Sequence, residues 1–386
     1  MTLALSSRET HAALTLTGRG AFSLERRPTP RPSAGEVLLE TLYVGVCGTD
    51  LDIARGARAD TATVLGHEGV ARVLAVGDGV TGWEVGCNVV FNPVNPRASD
   101  DILGHSYDGI LQQRYLASAE RLRTGIVTSL DETVPVVWGP LVEPLATVIY
   151  GQALVSHRCT VRSAVVVGAG PIGLLHAIHA SENGASDVFL VDVLPDRLAW
   201  AVSQGVVPRR HALLSTPSLP SRLLGLLKAE GADAVFLCTP RRGAANALSM
   251  SLRYVRSGGC IDLVVGFPPG GHVPELGQTD LNSVRRANHC GSPLSGAMEE
   301  CETIGGETVH LTGHRGTSEE HLKRAMLCLS RPHSQYGSIL APPVPLDVAL
   351  TRLNNDMGIK DGSQPLVHGK LVIAMREHGE RQACTA

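Results

Sequence analysis

The feature that most constrains this chain is a glycine-rich turn between a short apolar run and a helical pattern. The run, residues 163–167, has the β-branched composition of a buried strand. Glycines allow the backbone to bend tightly and to approach a pyrophosphate, which the free N–H groups of the following helix can bind. The pattern therefore predicts a dinucleotide-binding βα unit, whose turn consists of Gly168, Ala169, Gly170, Pro171, Ile172 and Gly173.

The residues after the turn indicate which dinucleotide is bound. A second predicted strand, residues 187–191, is followed by Asp192, nineteen residues after Gly173. A carboxylate there can bind both hydroxyls of the adenosine ribose and would repel a 2′-phosphate, so we expect NAD rather than NADP. Arg197 leaves NADP open, because a nearby arginine can accept the 2′-phosphate. The alternative interpretation of the whole motif is that it binds no dinucleotide and is an ordinary strand–helix turn with an aspartate on the surface.

The turn lies inside a stretch of alternating strand and helix patterns. Predicted strands at residues 163–167, 187–191, 232–238 and 260–265 are separated by helical spacing, which is typical of a doubly wound parallel sheet. The earlier part of the chain is rich in short Val- and Gly-containing runs broken by turns, and predicts a mostly β unit. Residues 266–306 are long for one connection, so a lid, a subunit contact or an insertion is expected there.

Three short motifs in the β-rich part carry residues that can bind a metal. Cys47 lies in Gly-Val-Cys-Gly-Thr-Asp, His67 and Glu68 follow Gly66, and Glu143 precedes a proline. Thiolate, imidazole and carboxylate all bind zinc, and a catalytic zinc has three protein ligands and one open position. Each motif alone is weak, because a single cysteine is usually a small buried residue. Their joint occurrence before a dinucleotide turn is what predicts a metal site.

With these motifs in this order, the chain resembles the zinc-containing medium-chain dehydrogenase/reductase family over nearly its whole length. The resemblance implies an α/β fold with a mostly-β GroES-like catalytic domain at residues 1–157 and a Rossmann NAD-binding domain at 158–313. Residues 314–386 would return to the catalytic domain. The implied activity is hydride transfer between NAD(H) and a secondary alcohol or its ketone.

The resemblance also implies roles for individual residues. Cys47 and His67 would bind zinc, Glu68 would be the adjacent carboxylate, and Glu143 matches a carboxylate of the polyol and glucose dehydrogenase branches. Which of the two glutamates is a direct ligand stays open.

Residues near Cys47 would complete the catalytic site. By the same resemblance, Asp50 would orient His67, and Thr49 would accept the proton of the alcohol. Relatives often have a histidine where this chain has Asp52, so either Asp52 or water would receive that proton. Relatives also often have four close cysteines that form a structural zinc lobe. The stretch Phe91–Asp108 has none, so we expect one catalytic zinc per chain and no structural zinc.

The substrate class is predicted from three features. Glu143 matches the polyol branch, the chain has only five phenylalanines to line an apolar channel, and His105 and Tyr107 lie in one polar segment. Buried hydroxyls need partners, since each one left unpaired costs about 1–3 kcal/mol. We therefore expect a polyol, cyclitol, aminocyclitol or sugar. The alternative is that this segment is only a solvated surface loop. Residues 311–322 also loosely resemble cyclitol dehydrogenases of antibiotic biosynthesis.

Composition limits the partners. The formal net charge is −3 and no run approaches about 18 continuous apolar residues, so we expect neither nucleic acid nor a membrane as partner. The nine scattered cysteines favour a reducing cytoplasm, and the family implies a homodimer or homotetramer. Two other functions remain: a zinc-free NADPH-dependent reductase of the same superfamily, and a nucleotide-binding protein without catalysis. Metal analysis and alcohol-dependent reduction of NAD would distinguish them.

Overall fold

The structure is a computed structural model that describes residues 9–18, 20–358 and 368–376. The described chain divides into two compact units. The first contains the residues up to Glu143, Ala325–Pro332 and those from Leu340 onward, and the second contains Pro144–Arg324 and His333–Ile339. The domain boundaries expected from the sequence, at residues 157/158 and 313/314, differ from the limits of these compact units and remain a proposal. No described helix combines the length and the apolar character that are needed to cross a membrane.

The strands and α-helices of the described residues have the following bounds. The described strands are β1 (Thr10–Leu16), β2 (Phe22–Pro28), β3 (Val37–Gly45), β4 (Glu68–Val76), β5 (Asn88–Phe91), β6 (Arg114–Ala117), β7 (Val127–Ser129), β8 (Ser163–Val167), β9 (Asp187–Asp192), β10 (Ala212–Leu214), β11 (Ala232–Leu237), β12 (Val255–Asp262), β13 (Asn288–His289), β14 (Glu299–Glu302), β15 (Thr308–Thr312), β16 (His314–Arg315), β17 (Val344–Pro345) and β18 (Val372–Ala374). The described α-helices are α1 (Gly48–Ala54), α2 (Ala119–Arg123), α3 (Val142–Ser156), α4 (Pro171–Glu182), α5 (Pro195–Ser203), α6 (Leu219–Leu226), α7 (Ala244–Ser251), α8 (Leu281–Arg286), α9 (Glu319–Leu329) and α10 (Leu346–Gly358).

The first unit is built around a mostly antiparallel sheet. Its strand order is β17-β18-β3-β4-β5-β7, and β6 pairs with β3. The longest pairing joins β3 to β4, with Gly45 opposite Glu68 at one end. The sheet packs around a fully buried apolar cluster that includes Leu14, Val44 and Leu65. The β3–β4 pairing brings together the chain segments that contain Cys47 and His67, which follow β3 and precede β4.

The second unit is a doubly wound sheet in the order β10-β9-β8-β11-β12-β15-β14. The first six strands run parallel, and β14 is antiparallel to β15 at the edge. The chain moves outward from β8 through β9 to β10 and then returns to β11 on the other side. Such a reversal of strand order creates a crevice at the carboxyl ends of the central strands, where ligands bind in open α/β sheets. The glycine-rich turn follows β8 at this position.

The predicted fold class, a GroES-like β domain with a Rossmann parallel sheet, is confirmed. Strand β8 has the predicted bounds. Strand β18, in the segment expected to return to the first domain, pairs antiparallel with β3 in the first sheet. The bounds expected for the strand at residues 260–265 were wrong, because β12 lies at Val255–Asp262. Residues 266–306 contain α8 and β14 and are more regular than expected.

The end of β12 carries a buried carboxyl group in the second unit. Asp262 is 0% exposed, and neither of its carboxyl oxygens has a hydrogen-bond partner within the described residues. Its Oδ2 lies so close to Gly151 of α3 that a Cβ there would overlap it. Burial raises the pKa of Asp262 to about 7, although Arg285 acts in the opposite direction. Cys238 and His314 are the other titratable groups nearby, and both are buried.

We predict that Asp262→Asn reduces the pH dependence of stability. Because the pKa of the folded state lies above the ordinary value of 3.8, the folded state binds the proton more tightly than the unfolded state. The contribution of Asp262 is therefore fully present below about pH 4 and lost as the pH rises to about 7, at roughly 1.4 kcal/mol per pKa unit. Thermal unfolding of wild type and variant between pH 5 and pH 8 measures the difference.

The matched control is Asp78→Asn, which changes an exposed aspartate in a turn of the first unit. This variant should retain the decline in melting temperature seen in the wild type, whereas Asp262→Asn should show a shallower decline. Equal slopes for all three proteins would contradict the assignment of a protonated, buried Asp262.

Candidate active site

Three side chains that could bind a metal ion meet at one end of the β3–β4 pairing. Cys47 is the N-cap residue of α1, and its Sγ accepts a hydrogen bond from the backbone N–H of Thr49 at 3.5 Å. Gly66, at a φ of +87°, turns the chain into β4 and presents His67 and Glu68. A ligand atom from each of Cys47, His67 and Glu68 lies within 4.8 Å of the others. This spacing would let one ion contact all three.

Asp50 connects the two segments that contain these residues. Its Oδ2 accepts the backbone N–H of Cys47 at 2.8 Å, and its Oδ1 accepts the backbone N–H of Gly66 at 3.2 Å. The same Oδ1 lies 3.7 Å from Nδ1 of His67, which is beyond hydrogen-bond distance. Asp50 is 1% exposed. A second possible metal-binding group consists of Asp50, His67 and His105.

Charge around the site is balanced by a buried lysine. Lys370, which precedes β18, forms an ion pair with Glu68, and both side chains are less than 5% exposed. Gly45 provides the space, because a Cβ there would lie 2.6 Å from Cε of Lys370 and 3.4 Å from Oε2 of Glu68. Burial raises the pKa of the Cys47 thiol, while the charge of Lys370 acts to lower it. Thiolate formation at Cys47 therefore depends on positive charge nearby.

The polar segment after β5 contributes one residue to this cluster. His105 is buried, and its ring meets the ring of His67 edge-on, with centroids 4.8 Å apart. A wholly solvated surface loop does not describe His105. Tyr107 is half-buried, with the guanidinium of Arg121 3.6 Å from its ring centroid. Burial raises the pKa of Tyr107 well above its usual value, so its hydroxyl stays protonated.

The other predicted site residues of the first unit lie on α1 and α3. Thr49 and Asp52 are half-buried residues of α1, in the first and second turns. Glu143 is half-buried in the first turn of α3. Within the part of the chain that the structure describes, neither possible metal-binding group includes Glu143. The structure therefore brings Cys47, His67 and Glu68 together without Glu143.

The glycine-rich turn of the second unit has the geometry of a dinucleotide site. Gly168 has a φ of +115°, and a Cβ there would lie 2.5 Å from the carbonyl oxygen of Cys238. At Gly173 a Cβ would overlap the carbonyl of Gly168, so only glycine lets α4 start this close to β8. Gly170 is the N-cap of α4 without a side-chain cap, and a Cβ there meets open space. Pro171 and Ile172 begin the helix, whose first N–H groups remain available for a phosphate.

Asp192 ends β9 beside this turn. Its Oδ2 accepts the backbone N–H of Ala169 at 2.7 Å, and its Oδ1 accepts that of Leu194 at 2.8 Å. Nη1 of Arg197 lies 3.8 Å from the same Oδ2. The carboxylate is thus fixed against the turn, and each oxygen keeps a lone pair for a further hydrogen-bond donor. Arg197 adds a positive charge at the same position.

Lys370 is the residue of this site that sequence reasoning missed. It lies 302 residues after Glu68, so no local spacing connects the two. The one available signal is a lysine at the start of an apolar run, residues 371–375, which enters a sheet. A charged residue in that position is seldom buried without a partner of opposite charge.

Comparisons with known proteins show what the chain is similar to. Residues 33–126 match the alcohol dehydrogenase GroES-like domain. The chain is 31% identical over 278 residues to sorbitol dehydrogenase 2 of Saccharomyces cerevisiae, covering 66% of this chain and 75% of that protein. It is 33% identical over 213 residues to a sorbitol dehydrogenase of Bombyx mori, covering 51% of this chain and 60% of that protein.

Solved structures share the fold at lower sequence identity. A zinc-binding dehydrogenase of Sinorhizobium meliloti, bound to NADP, aligns with a TM-score of 0.69 at 20% identity and covers 95% of this chain and 100% of its own. A short chain alcohol dehydrogenase of Escherichia coli, complexed with NADH, aligns with a TM-score of 0.72 at 17% identity, covering 95% and 99%. At these identities the likeness concerns the fold alone.

Proposed function

Because the chain belongs to the zinc-containing medium-chain alcohol and polyol dehydrogenase family, we propose that it transfers a hydride between a secondary alcohol and NAD. It is an alcohol or polyol oxidoreductase with a small-molecule substrate; the cofactor, substrate and residue roles below are our proposals. The observation that carries the proposed metal-dependent activity is the grouping of Cys47, His67 and Glu68, with ligand atoms within 4.8 Å of one another.

The donor set fits zinc. Sulfur, imidazole nitrogen and carboxylate oxygen are the three ligand types that zinc accepts, and three protein ligands leave a position for substrate. When bound, zinc would polarise the substrate oxygen and lower the pKa of the alcohol. Asp50 faces Nδ1 of His67 and would orient the ring, as carboxylates do for metal-binding histidines. One zinc per chain is proposed.

The ion pair with Lys370 bears on the choice between the two glutamates. Glu68 belongs to the group with Cys47 and His67, and Lys370 shares its carboxylate. We propose Glu68 as the third ligand, with Lys370 fixing its second oxygen. Glu143, outside that group, would then act on the substrate or on water near the metal. Binding of the ion would add positive charge beside Lys370, so the Glu68 carboxylate must separate the two.

The proton of the alcohol needs a route away from the site. Thr49 is the first polar side chain after Cys47, and its hydroxyl can both accept and donate a proton. Asp52, one turn further along α1, is the proposed acceptor, with water as the alternative. The buried Asp50 already accepts two backbone N–H groups and is proposed only to position His67.

The cofactor is proposed to be NAD, with its pyrophosphate at the turn formed by Gly168–Gly173. Asp192 would accept both ribose hydroxyls and repel a 2′-phosphate, which supports NAD. Arg197, 3.8 Å away, offsets part of that repulsion and is what would admit NADP. The fold neighbours named above occur with NADP and with NADH, so the preference rests on the balance between Asp192 and Arg197.

The substrate is proposed to be a polyhydroxylated compound, most specifically a cyclitol, an aminocyclitol or a sugar from antibiotic biosynthesis. The sequence relatives named above are sorbitol dehydrogenases, which supports a polyol. His105 lies against His67 and can offer a ring nitrogen to a substrate hydroxyl near the metal. Tyr107, two residues further, is proposed to bind a more distant hydroxyl. A cytoplasmic homodimer or homotetramer is proposed from the family.

We predict that Asp192→Ser weakens NAD binding by tenfold or more and narrows the preference for NAD over NADP. The loss of charged hydrogen bonds to the ribose is worth about 1.5–3 kcal/mol. Dissociation constants for both cofactors, measured by fluorescence titration, test this. Arg197→Ala is the matched variant. It should weaken the binding of NADP and leave the binding of NAD nearly unchanged. A wild type that binds NADP more tightly than NAD would contradict the assignment.

We predict that polyols and cyclitols give a higher kcat/KM than short aliphatic alcohols, because a site with paired polar groups loses about 1–3 kcal/mol when a hydroxyl is missing. Reduction of NAD is followed by absorbance with sorbitol, xylitol, myo-inositol, ethanol and 2-propanol. His105→Ala should raise KM for the polyol more than for 2-propanol, and Tyr107→Phe should do so to a smaller extent. The proposal fails if an aliphatic alcohol is the best substrate; unaltered polyol kinetics in both variants would refute only the role of the segment.

A further inference from the structure

Two cysteines of the second unit lie in contact. Sγ of Cys159, in the loop after α3, is 3.6 Å from Sγ of Cys260, in β12. Cys159 is half-exposed, whereas Cys260 is 0% exposed. Both are free thiols. They are 101 residues apart in the sequence, so the contact is created by the fold.

We propose that Cys159 and Cys260 form a reversible intramolecular disulfide when the protein meets a hydroperoxide. The pair has no part in the proposed hydride transfer, so the inference stands independently of it. In a reducing compartment disulfides are usually transient, and they act in catalysis or redox sensing. Two free thiols in contact could form such a transient disulfide.

The surroundings give the two thiols different roles. The hydrogen bond with Cys260 lowers the pKa of Cys159. The charges of Arg256 and Arg158 act in the same direction, whereas burial and the negative charge of Asp233 act against them. The same hydrogen bond, together with burial, raises the pKa of Cys260 far above its usual range. Cys159 is therefore the more acidic and the more exposed of the two thiols, which a small oxidant reaches first, and Cys260 is its buried partner.

The arginines are held in place by other contacts of the same unit. Nε of Arg256 donates to Oδ1 of Asp233 at 2.7 Å, and Nε of Arg158 donates to His310 at 3.2 Å. Asp233 also accepts the backbone N–H groups of Arg162 and Ser163, which fixes the loop that follows Cys159. These contacts place the two guanidinium groups near Cys159, with the carboxylate of Asp233 beside Arg256.

The chemistry balances in two steps. The Cys159 thiolate attacks one oxygen of the hydroperoxide and breaks its O–O bond, giving a sulfenic acid and releasing an alcohol or, from hydrogen peroxide, water. Cys260 loses its proton and attacks the sulfenic sulfur, which forms the S–S bond and expels the hydroxyl as water. Two thiols are oxidised by two electrons and one peroxide is reduced. A small thiol such as dithiothreitol reverses the reaction by exchange.

The required movement is small. A disulfide has its sulfurs about 2.05 Å apart, so the two atoms must approach by about 1.5 Å. Cys260 is fixed between its neighbours Ala234 and His310 in the sheet. Cys159 lies in a loop after the last turn of α3, held by a backbone hydrogen bond to Val155, and it is the residue that can shift.

The crosslink would enclose the proposed cofactor-binding residues. The closed loop runs from Cys159 to Cys260 and includes the glycine-rich turn and Asp192. Constraining a loop of about 100 residues in the unfolded chain stabilises the folded unit, and we expect the melting temperature to rise by about 5–10 °C. Oxidation would therefore stabilise the second unit reversibly.

The test uses the full chain, reduced with dithiothreitol, desalted and exposed to hydrogen peroxide at low millimolar concentration. Unreduced peptide mass mapping should give one crosslinked peptide that joins Cys159 to Cys260, with the loss of two hydrogen atoms. The melting temperature should rise and should return to its starting value after dithiothreitol. Activity is not the readout, because oxidation of Cys47 would also abolish it.

Three variants complete the design. Cys159→Ser and Cys260→Ala should form no crosslink and show no rise in melting temperature. Cys87→Ser, which changes an exposed cysteine, should behave as the wild type. If Cys260→Ala does not fold, Cys159→Ser alone carries the comparison. Over-oxidation of Cys159 to sulfinic acid without a crosslink, pairing of Cys159 with another cysteine, or no reaction at Cys159 would each overturn the proposal.

Discussion

A single buried carboxylate, that of Asp50, links the two segments that form the proposed catalytic region. One of its oxygens receives the backbone N–H of Cys47, and the other receives the backbone N–H of Gly66 while facing His67. The N-terminus of α1 and the start of β4 are therefore linked through one side chain. Charged hydrogen bonds of this kind are stronger than neutral ones, and a buried acceptor that loses its donors is costly. The two proposed ligands keep their spacing because Asp50 keeps both segments in place.

The ion pair between Lys370 and Glu68 adds a second constraint on the same region. Buried ion pairs often contribute little net stability, because removing two charges from water offsets their attraction. Removing only one partner of such a pair is nevertheless destabilising, because the other charge then stays buried without a partner. This pair ties β18, from the end of the chain, to β4 near its beginning, and Gly45 leaves the space it needs. Glu68 is itself a proposed metal ligand. The effect of Lys370 on the position and charge of Glu68 therefore explains this costly pair better than stability alone.

The sequence was sufficient to predict local structure where the signal lies in closely spaced residues. The turn after β8 was predicted residue by residue, because its glycines, the preceding strand and Asp192 all lie within 30 residues. Contacts between distant segments gave no such signal: Lys370 with Glu68, and Cys159 with Cys260. The bounds of β12 were also missed. Its actual residues include Ser257, Gly258 and Gly259, which interrupt the apolar pattern, and the pairing with β11 is shifted between Ala232 and Ala234.

The most direct measurement of the central claim is zinc-edge X-ray absorption on the purified protein, combined with total metal analysis. The account predicts one zinc per chain with a single sulfur neighbour at about 2.3 Å and nitrogen or oxygen neighbours at about 2.0–2.2 Å. In Cys47→Ser the sulfur shell should disappear together with most of the zinc. A protein that holds no zinc, a second tightly bound zinc, or a sulfur shell that persists in Cys47→Ser would contradict the assignment of Cys47, His67 and Glu68 as the metal site.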